Sequence, residues 1–228
     1  MKAKMVKFRQ PATVVGGGEL SRSVLEDALA LAPAVIAADG AADRLTAVGV
    51  APDAVIGDMD SLSCPEHWKE TTAEFLRIEE QDSTDFEKCL YATDAPFYLA
   101  VGFTGRRMDH SLAALHVMLA RPEKQVALLG EHDVIVPVPG GREIILDLPD
   151  GAVVSFFPLA PATGIKSQGL RWSIDGLRME AGQQIGTSNQ ASGGPVRFAF
   201  DRDGVFLMIA SEFLGQIVEL LSADASEV

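Results

Sequence analysis

From Ala12 onward, short apolar runs alternate with segments whose apolar residues recur every three or four positions. Thr13-Val14-Val15, Ala34–Ala38, Ala54-Val55-Ile56, Phe75-Leu76-Arg77-Ile78 and residues 97–101 are short and apolar, and read as buried strands. Between the first two, Leu20, Val24, Leu25, Ala28 and Leu29 fall at helical spacing. Thr84 with Glu87 three residues on fits a capping box, which predicts a helix turning Phe86, Cys89 and Leu90 inward. Leu112, Leu115 and Leu119 mark one face of another helix, and shorter helices are expected over residues 42–48 and 65–74. This alternation predicts a Rossmann-like parallel sheet with flanking helices over residues 1–139.

Near Pro137-Val138-Pro139-Gly140-Gly141 the helical period stops, and a domain boundary is expected there. Strand-like runs follow at residues 143–148, 153–159, 169–174, 177–180, 196–201 and 205–210. Turn signals such as Pro149-Asp150-Gly151 and Asp203-Gly204 separate them, as in an antiparallel β-sandwich or small barrel over residues 140–228. After Ser211, the residues Phe213, Leu214, Ile217, Val218, Leu220 and Leu221 suit a short helix or a last strand. Residues 222–228 read as a frayed end.

Composition narrows the function. The chain has 228 residues, 47% of them apolar and 22% charged, as in globular proteins. A net charge of −13 argues against non-specific nucleic-acid binding, which needs a basic face. Cys64 and Cys89 make no disulfide framework and fit a reducing cytoplasm. Residues 1–10 lack the apolar core of a signal peptide, and no run reaches the roughly 18 apolar residues that span a bilayer.

The chemistry concentrates at strand ends. Asp39, Asp58 with Asp60, Asp82 with Asp85, and Asp109 each follow an expected strand. Ligand crevices of parallel sheets lie outside the carboxyl ends of the strands, so these acidic turns converge. Paired carboxylates in Gly57-Asp58-Met59-Asp60-Ser61 suit a hard divalent cation that prefers oxygen ligands. Gly16-Gly17-Gly18, between strand and helix, is a partial phosphate-loop pattern, since Ser21 stands where a third glycine would be. In the second half, Trp172 is a core residue or a platform for a flat ring, and Gly186-Thr187-Ser188-Asn189-Gln190 reads as a polar turn.

Ala38-Asp39-Gly40-Ala41-Ala42, Gly57-Asp58-Met59-Asp60-Ser61, Asp82-Ser83-Thr84-Asp85-Phe86 and Gly105-Arg106-Arg107-Met108-Asp109-His110 resemble, in order, the motifs of thiamine pyrophosphokinases. Gly169-Leu170-Arg171-Trp172 and Thr187-Ser188-Asn189 resemble that family's thiamine-binding domain. Two departures stand out: the usual Asp-Gly-Gly-Ala-Asn is here Asp39-Gly40-Ala41-Ala42-Asp43, and the usual aromatic between the paired aspartates is Met59. The resemblance implies transfer of a diphosphate group from ATP to the hydroxyl of thiamine, a requirement for Mg²⁺, and a homodimer whose thiamine sites are shared between subunits. It implies nucleotide contacts at Asp39, Gly40, Gly57, Ser61, Thr84, Gly105 and Arg106, and thiamine contacts at Trp172, Ser188 and Asn189. Asp58, Asp60 and Asp85 would hold Mg²⁺, bridging a polyanion to an acidic rim. Arg107, in the position matching the family's Gly-Arg-x-Asp, would clamp phosphate oxygens. Asp82 and Asp109 are both open as the base, with His110 a third. A diphosphokinase acting on a pterin-like alcohol and a non-catalytic nucleotide or thiamine sensor are the competing functions.

Overall fold

The computed structural model describes residues 5–225. The chain divides into two compact units, Met1–Glu131 with Leu220–Val228, and His132–Glu219.

The first unit carries strands β1 (Ala12–Val15), β2 (Ala34–Ala38), β3 (Ala54–Gly57), β4 (Glu74–Arg77), β5 (Tyr98–Val101) and β6 (Val126–Leu129). Helices α1 (Arg22–Leu31), α2 (Ala41–Ala47), α3 (Pro65–Thr71), α4 (Asp85–Ala92) and α5 (Met108–Ala120) connect them. β5 pairs in parallel with β1 and β6, and β3 in parallel with β2 and β4. β1 and β2 lie side by side, with the Ala34 N–H donating to the Pro11 carbonyl at 3.2 Å. The order is therefore β6-β5-β1-β2-β3-β4. Of these six strands, all but β4 are buried throughout, which is why their sequences read as continuous apolar runs rather than alternations.

β6 escaped the sequence reading because four apolar residues after a charged loop have no period that separates strand from helix. The capping box at α4 is half made. Thr84 Oγ1 accepts the Glu87 N–H at 3.2 Å, but the Glu87 carboxylate goes to Arg121 at 3.0 Å instead of returning to the cap. On α5 the buried stripe is Ala114, Leu115, Val117 and Met118; Leu112 is exposed, contrary to the leucine periodicity. A helix apolar on several sides offers competing stripes, and the leucines alone do not choose among them.

The second unit is antiparallel throughout. β7 (Asp133–Val138), β8 (Ile144–Asp147), β9 (Val153–Pro158), β10 (Ala162–Gln168), β11 (Gly186–Gln190), β12 (Pro195–Phe200) and β13 (Val205–Ala210) form two sheets, ordered β11-β9-β13-β7 and β8-β12-β10. Buried and partly exposed residues alternate along β7 and β9, as one-sided sheets require. Phe156 of the first sheet meets Phe198 and Phe200 of the second, at ring-centroid distances of 4.9 and 5.5 Å.

Three expectations change here. Residues 169–174 are not a strand: only Leu170 makes an isolated bridge, to Ala191. The polar run Gly186–Gln190 is a strand, β11, pairing along one side with β9. Its polar sequence suits an edge with exposed side chains, so it carries little apolar signal. The tail is a helix, α6 (Leu214–Ala225), so residues 222–225 are ordered, while 226–228 lie outside the described residues. Among the described residues, no helix is long and apolar enough to cross a membrane.

Candidate active site

A cleft of about 620 Å³ opens within the first unit. Its wall is built from the segments that leave β1 (Gly16 to Gly18), β3 (Asp58), β4 (Gln81 to Phe86) and β5 (Gly102 to Thr104). From β1 the chain runs outward through β2, β3 and β4, then restarts on the other side of β1 with β5 and β6. After β1 and β5 the chain therefore continues to opposite sides of the sheet, and this reversal of strand order marks the usual ligand crevice of such a sheet.

The glycine loop has a packing cause first. A Cβ on Gly16 would lie 2.6 Å from the Gly102 carbonyl oxygen, and one on Gly18 would lie 2.5 Å from the same atom. Only Gly17 faces open space. The outer two glycines let the β1 and β5 loops touch, and the middle one stands on the cleft wall.

The carboxylates follow from backbone turns beside it. Asp39 leaves β2 with φ 46° and Met59 follows β3 with φ 70°, both in the left-handed region that non-glycine residues avoid. Met59 is buried, so Asp58 and Asp60 on either side of it turn outward. One oxygen from each of Asp39, Asp58 and Asp60 lies within 4.8 Å of the others. Asp39 is only 3% exposed; its Oδ2 accepts the Ser61 N–H at 3.2 Å, while its Oδ1 is buried with no hydrogen-bond partner. Gln81 Nε2 donates to Asp58 at 2.9 Å, and this bond chiefly holds the Asp58 carboxyl below its usual range. Asp85, the first residue of α4, meets the ammonium of Lys88 at 3.3 Å. Burial raises the proton affinities of Asp39 and Asp85, and repulsion from neighbouring carboxylates adds to both.

Of the residues assigned from the sequence, Asp58, Thr84, Asp85, Arg106, Arg107 and His110 stand on the cleft wall. Arg106 reaches towards the Gly17 carbonyl, Nη1 to oxygen 3.5 Å. Ser61 ties Asp39 through its N–H and Asp60 through its hydroxyl, at 3.0 Å for the latter. Gly40 caps α2, Gly57 ends β3, and Gly105, with φ 93°, turns the β5 loop past Glu19. Asp82 and Asp109 stand off the wall. Both Asp109 oxygens are taken by the Arg107 guanidinium, at 2.5 and 3.1 Å, which holds Asp109 below the usual carboxylate range.

Lys88 was not singled out from the sequence. It lines the cleft yet is 2% exposed. Its position three residues after Asp85 was the available signal, but on a helix that spacing usually means a surface ion pair. Glu80 was also passed over. It accepts the N–H groups of Asp82 and Ser83 and the Tyr91 hydroxyl, and so shapes the whole turn before Asp85.

In the second unit Trp172 is 53% exposed, so it is not a core residue. The Arg171 guanidinium lies 4.9 Å from its ring centroid. The Asn189 side chain is buried against the Trp172 backbone. Its Oδ1 accepts the Trp172 N–H at 3.1 Å and the Gln190 N–H at 2.8 Å, and its Nδ2 donates to the Trp172 carbonyl at 2.7 Å. Ser188 has φ 61° and an exposed side chain, and its N–H donates to Ser155 Oγ.

Two family models match the chain: the thiamin pyrophosphokinase catalytic domain over residues 25–129, and the thiamin pyrophosphokinase vitamin B1 binding domain over residues 142–205. Thiamine pyrophosphokinase 2 of Arabidopsis thaliana is 30% identical over 156 residues, covering 60% of this chain; the chain spans 58% of that relative's length. Among solved structures, thiamin pyrophosphokinase from Candida albicans aligns with a TM-score of 0.74 at 15% identity, covering 92% of this chain and 93% of its own. Thiamine pyrophosphokinase from Bacillus subtilis aligns with a TM-score of 0.70 at 21% identity, covering 89% and 99%. At such identities the structural likeness speaks for the fold. With its two halves matched in order by the two domain models of one family, the chain belongs to the thiamin pyrophosphokinases.

Proposed function

We propose that this protein is a cytoplasmic thiamine diphosphokinase, using ATP as co-substrate and giving thiamine diphosphate and AMP. The observation that carries the reading is the buried Asp39 carboxylate, one of its oxygens without a donor, clustered with Asp58 and Asp60 beside a glycine-walled cleft. An ionised oxygen out of water without a donor is costly unless a cation stands next to it. Carboxylate oxygens suit a hard cation such as Mg²⁺, which completes its shell with water and phosphate oxygens. Asp39, Asp58 and Asp60, with Asp85 alongside, would hold the ion. When bound, Mg²⁺ would neutralise polyphosphate charge and polarise the phosphoryl oxygens.

The chain's own groups do the rest by positioning, which is most of what such transfers need. The Gly17 backbone and the Arg106 guanidinium, both on the cleft wall, face the nucleotide phosphates. Arg107 joins them when it exchanges Asp109 for a phosphate oxygen, both being acceptors for its planar fork. Lys88 fixes Asp85 and offsets part of the negative charge on the wall. The thiamine hydroxyl oxygen bonds to the β-phosphorus as the bond from that phosphorus to the α–β bridging oxygen breaks, and AMP leaves. The hydroxyl proton passes to a carboxylate, for which Asp82 is freer than Asp109. Trp172 stacks on the pyrimidine, held out by Asn189, with Ser188 beside it. The first unit then serves as a Rossmann-like nucleotide module and the second as the sandwich-like acceptor module. A homodimer with thiamine sites shared between subunits follows from the family resemblance.

Mixing the protein with thiamine and Mg·ATP tests the reading. AMP and thiamine diphosphate should appear together. ADP with thiamine monophosphate would overturn diphosphate transfer, and turnover only with a pterin-like alcohol would overturn the acceptor.

A further inference from the structure

We propose that Asp43, outside the cleft, is a positioning residue that sets the Asp58–Asp60 loop for its cation; the role rests on the metal reading above. Position 43 is where the motif usually carries asparagine. Its carboxylate is not on the cleft wall. Oδ2 accepts the Ser63 N–H at 2.7 Å and Oδ1 accepts the Trp68 indole N–H at 2.8 Å.

The arrangement has a simple geometric logic. Asp39 and Asp43 are four residues apart, one in the turn that leaves β2 and the other in the first turn of α2. Asp39 holds the Ser61 N–H and Asp43 the Ser63 N–H, so two amides of the segment leaving β3, two residues apart, are pinned by the β2–α2 turn and the first turn of α2. Trp68 is a buried side chain of α3, and its indole N–H occupies the Asp43 oxygen that does not serve Ser63. Between β3 and α3 the chain holds a left-handed Met59, an outward Asp58 and an outward Asp60. Without the second pin, the segment carrying Asp60 would be held only by the Ser61 bonds and by the Asp60 N–H donating to Asp58.

The chemistry also accounts for aspartate rather than asparagine. Both partners of the side chain are N–H donors. An ionised carboxylate accepts from both; an amide accepts on one atom and turns its own N–H₂ against the other donor. Groups that orient metal-binding carboxylates from outside typically govern affinity about 10–100-fold when lost.

The test uses the full chain and Mn²⁺ as the probe, titrated calorimetrically, with urea unfolding alongside. Asp43→Asn should weaken Mn²⁺ binding about tenfold. Its turnover at saturating Mg²⁺ should fall much less than its turnover at limiting Mg²⁺. Trp68→Phe should lower stability but bind Mn²⁺ like the unaltered protein. In D43N/W68F, the amide oxygen introduced at position 43 has only the Ser63 N–H to serve, and Mn²⁺ affinity should recover. Asp43→Ala, which brings no amide, gives the same reading as D43N if the latter does not fold. Unaltered Mn²⁺ affinity in the Asp43 variants overturns the inference while leaving the metal site standing. Failure of the unaltered protein to bind Mn²⁺ overturns both.

Discussion

The two polar regions of this molecule are held in opposite ways. In the cleft of the first unit, groups sit against their own preferences: Asp39 has a buried oxygen without a donor, and Asp85 is half-buried with its proton affinity raised. Around Trp172 in the second unit, Asn189 satisfies the backbone at both ends, Arg171 is bonded to Gln190, and only the apolar ring is left over. Unsatisfied charge calls for a ligand that supplies charge. A satisfied scaffold displaying one ring offers contact area and little else. The first region should therefore control chemistry and the second affinity.

The largest expected effect breaks the first half of that contrast. Asp58→Asn removes a charge from the converging set and leaves the Gln81 contact possible through its carbonyl oxygen. Turnover at saturating substrates should drop at least about a hundredfold, as for loss of a direct metal ligand. The thermal midpoint should stay close to that of the unaltered protein, because Asp58 is not buried. Near-normal turnover would take Asp58 out of the ligand set.

Next comes Trp172→Ala. Stacking of a flat ring on an aromatic side chain is worth about 1–3 kcal/mol, which corresponds to a rise of roughly 5–150-fold in the thiamine KM. The KM for ATP should not move, and an exposed side chain should cost about 0.5 kcal/mol of stability or less. An unchanged thiamine KM would leave the ring without its assigned contact and collapse the contrast between the units.

The same contrast explains what was legible in the sequence. The cleft could be found because every carboxylate in it follows a short apolar run, and a buried parallel strand announces itself by that run. Legibility failed where polarity and structure part company. β11 is a strand with almost no apolar residue, because it lies at an edge, exposes Thr187 and Ser188, and buries the polar Asn189. Trp172 belongs to no strand, and its exposure depends on an Asn189 clamp seventeen residues along the chain. Lys88 is the sharpest case: a lysine on a helix reads as solvent-facing, and only the fold shows it buried against Asp85. The Asp39 oxygen without a donor is likewise invisible until the Ser61 amide is seen to serve only its twin.

Glu80 gives the smallest and most diagnostic effect, since it is a fully satisfied group inside the region of unsatisfied ones. Hydrogen bonds, that from the Ser83 hydroxyl foremost, hold its carboxyl at about 2 against an ordinary 4.5. A carboxyl depressed on folding contributes stability that is present above its unfolded value of 4.5 and is lost as pH falls through about 2. Asp39, raised on folding, has the opposite sign: its ionised form costs stability at neutral pH, and acid relieves the cost. In urea unfolding, Glu80→Gln should be slightly less stable than the unaltered protein by a constant margin above pH 4.5, and that margin should shrink steadily towards pH 2. Asp39→Asn should instead be the more stable partner at neutral pH, with its advantage fading in acid. A Glu80→Gln margin that does not change with pH would mean that the turn before Asp85 is held by the shape of the side chain and not by its charge. The distinction between satisfied and unsatisfied carboxylates would then fail within the cleft itself.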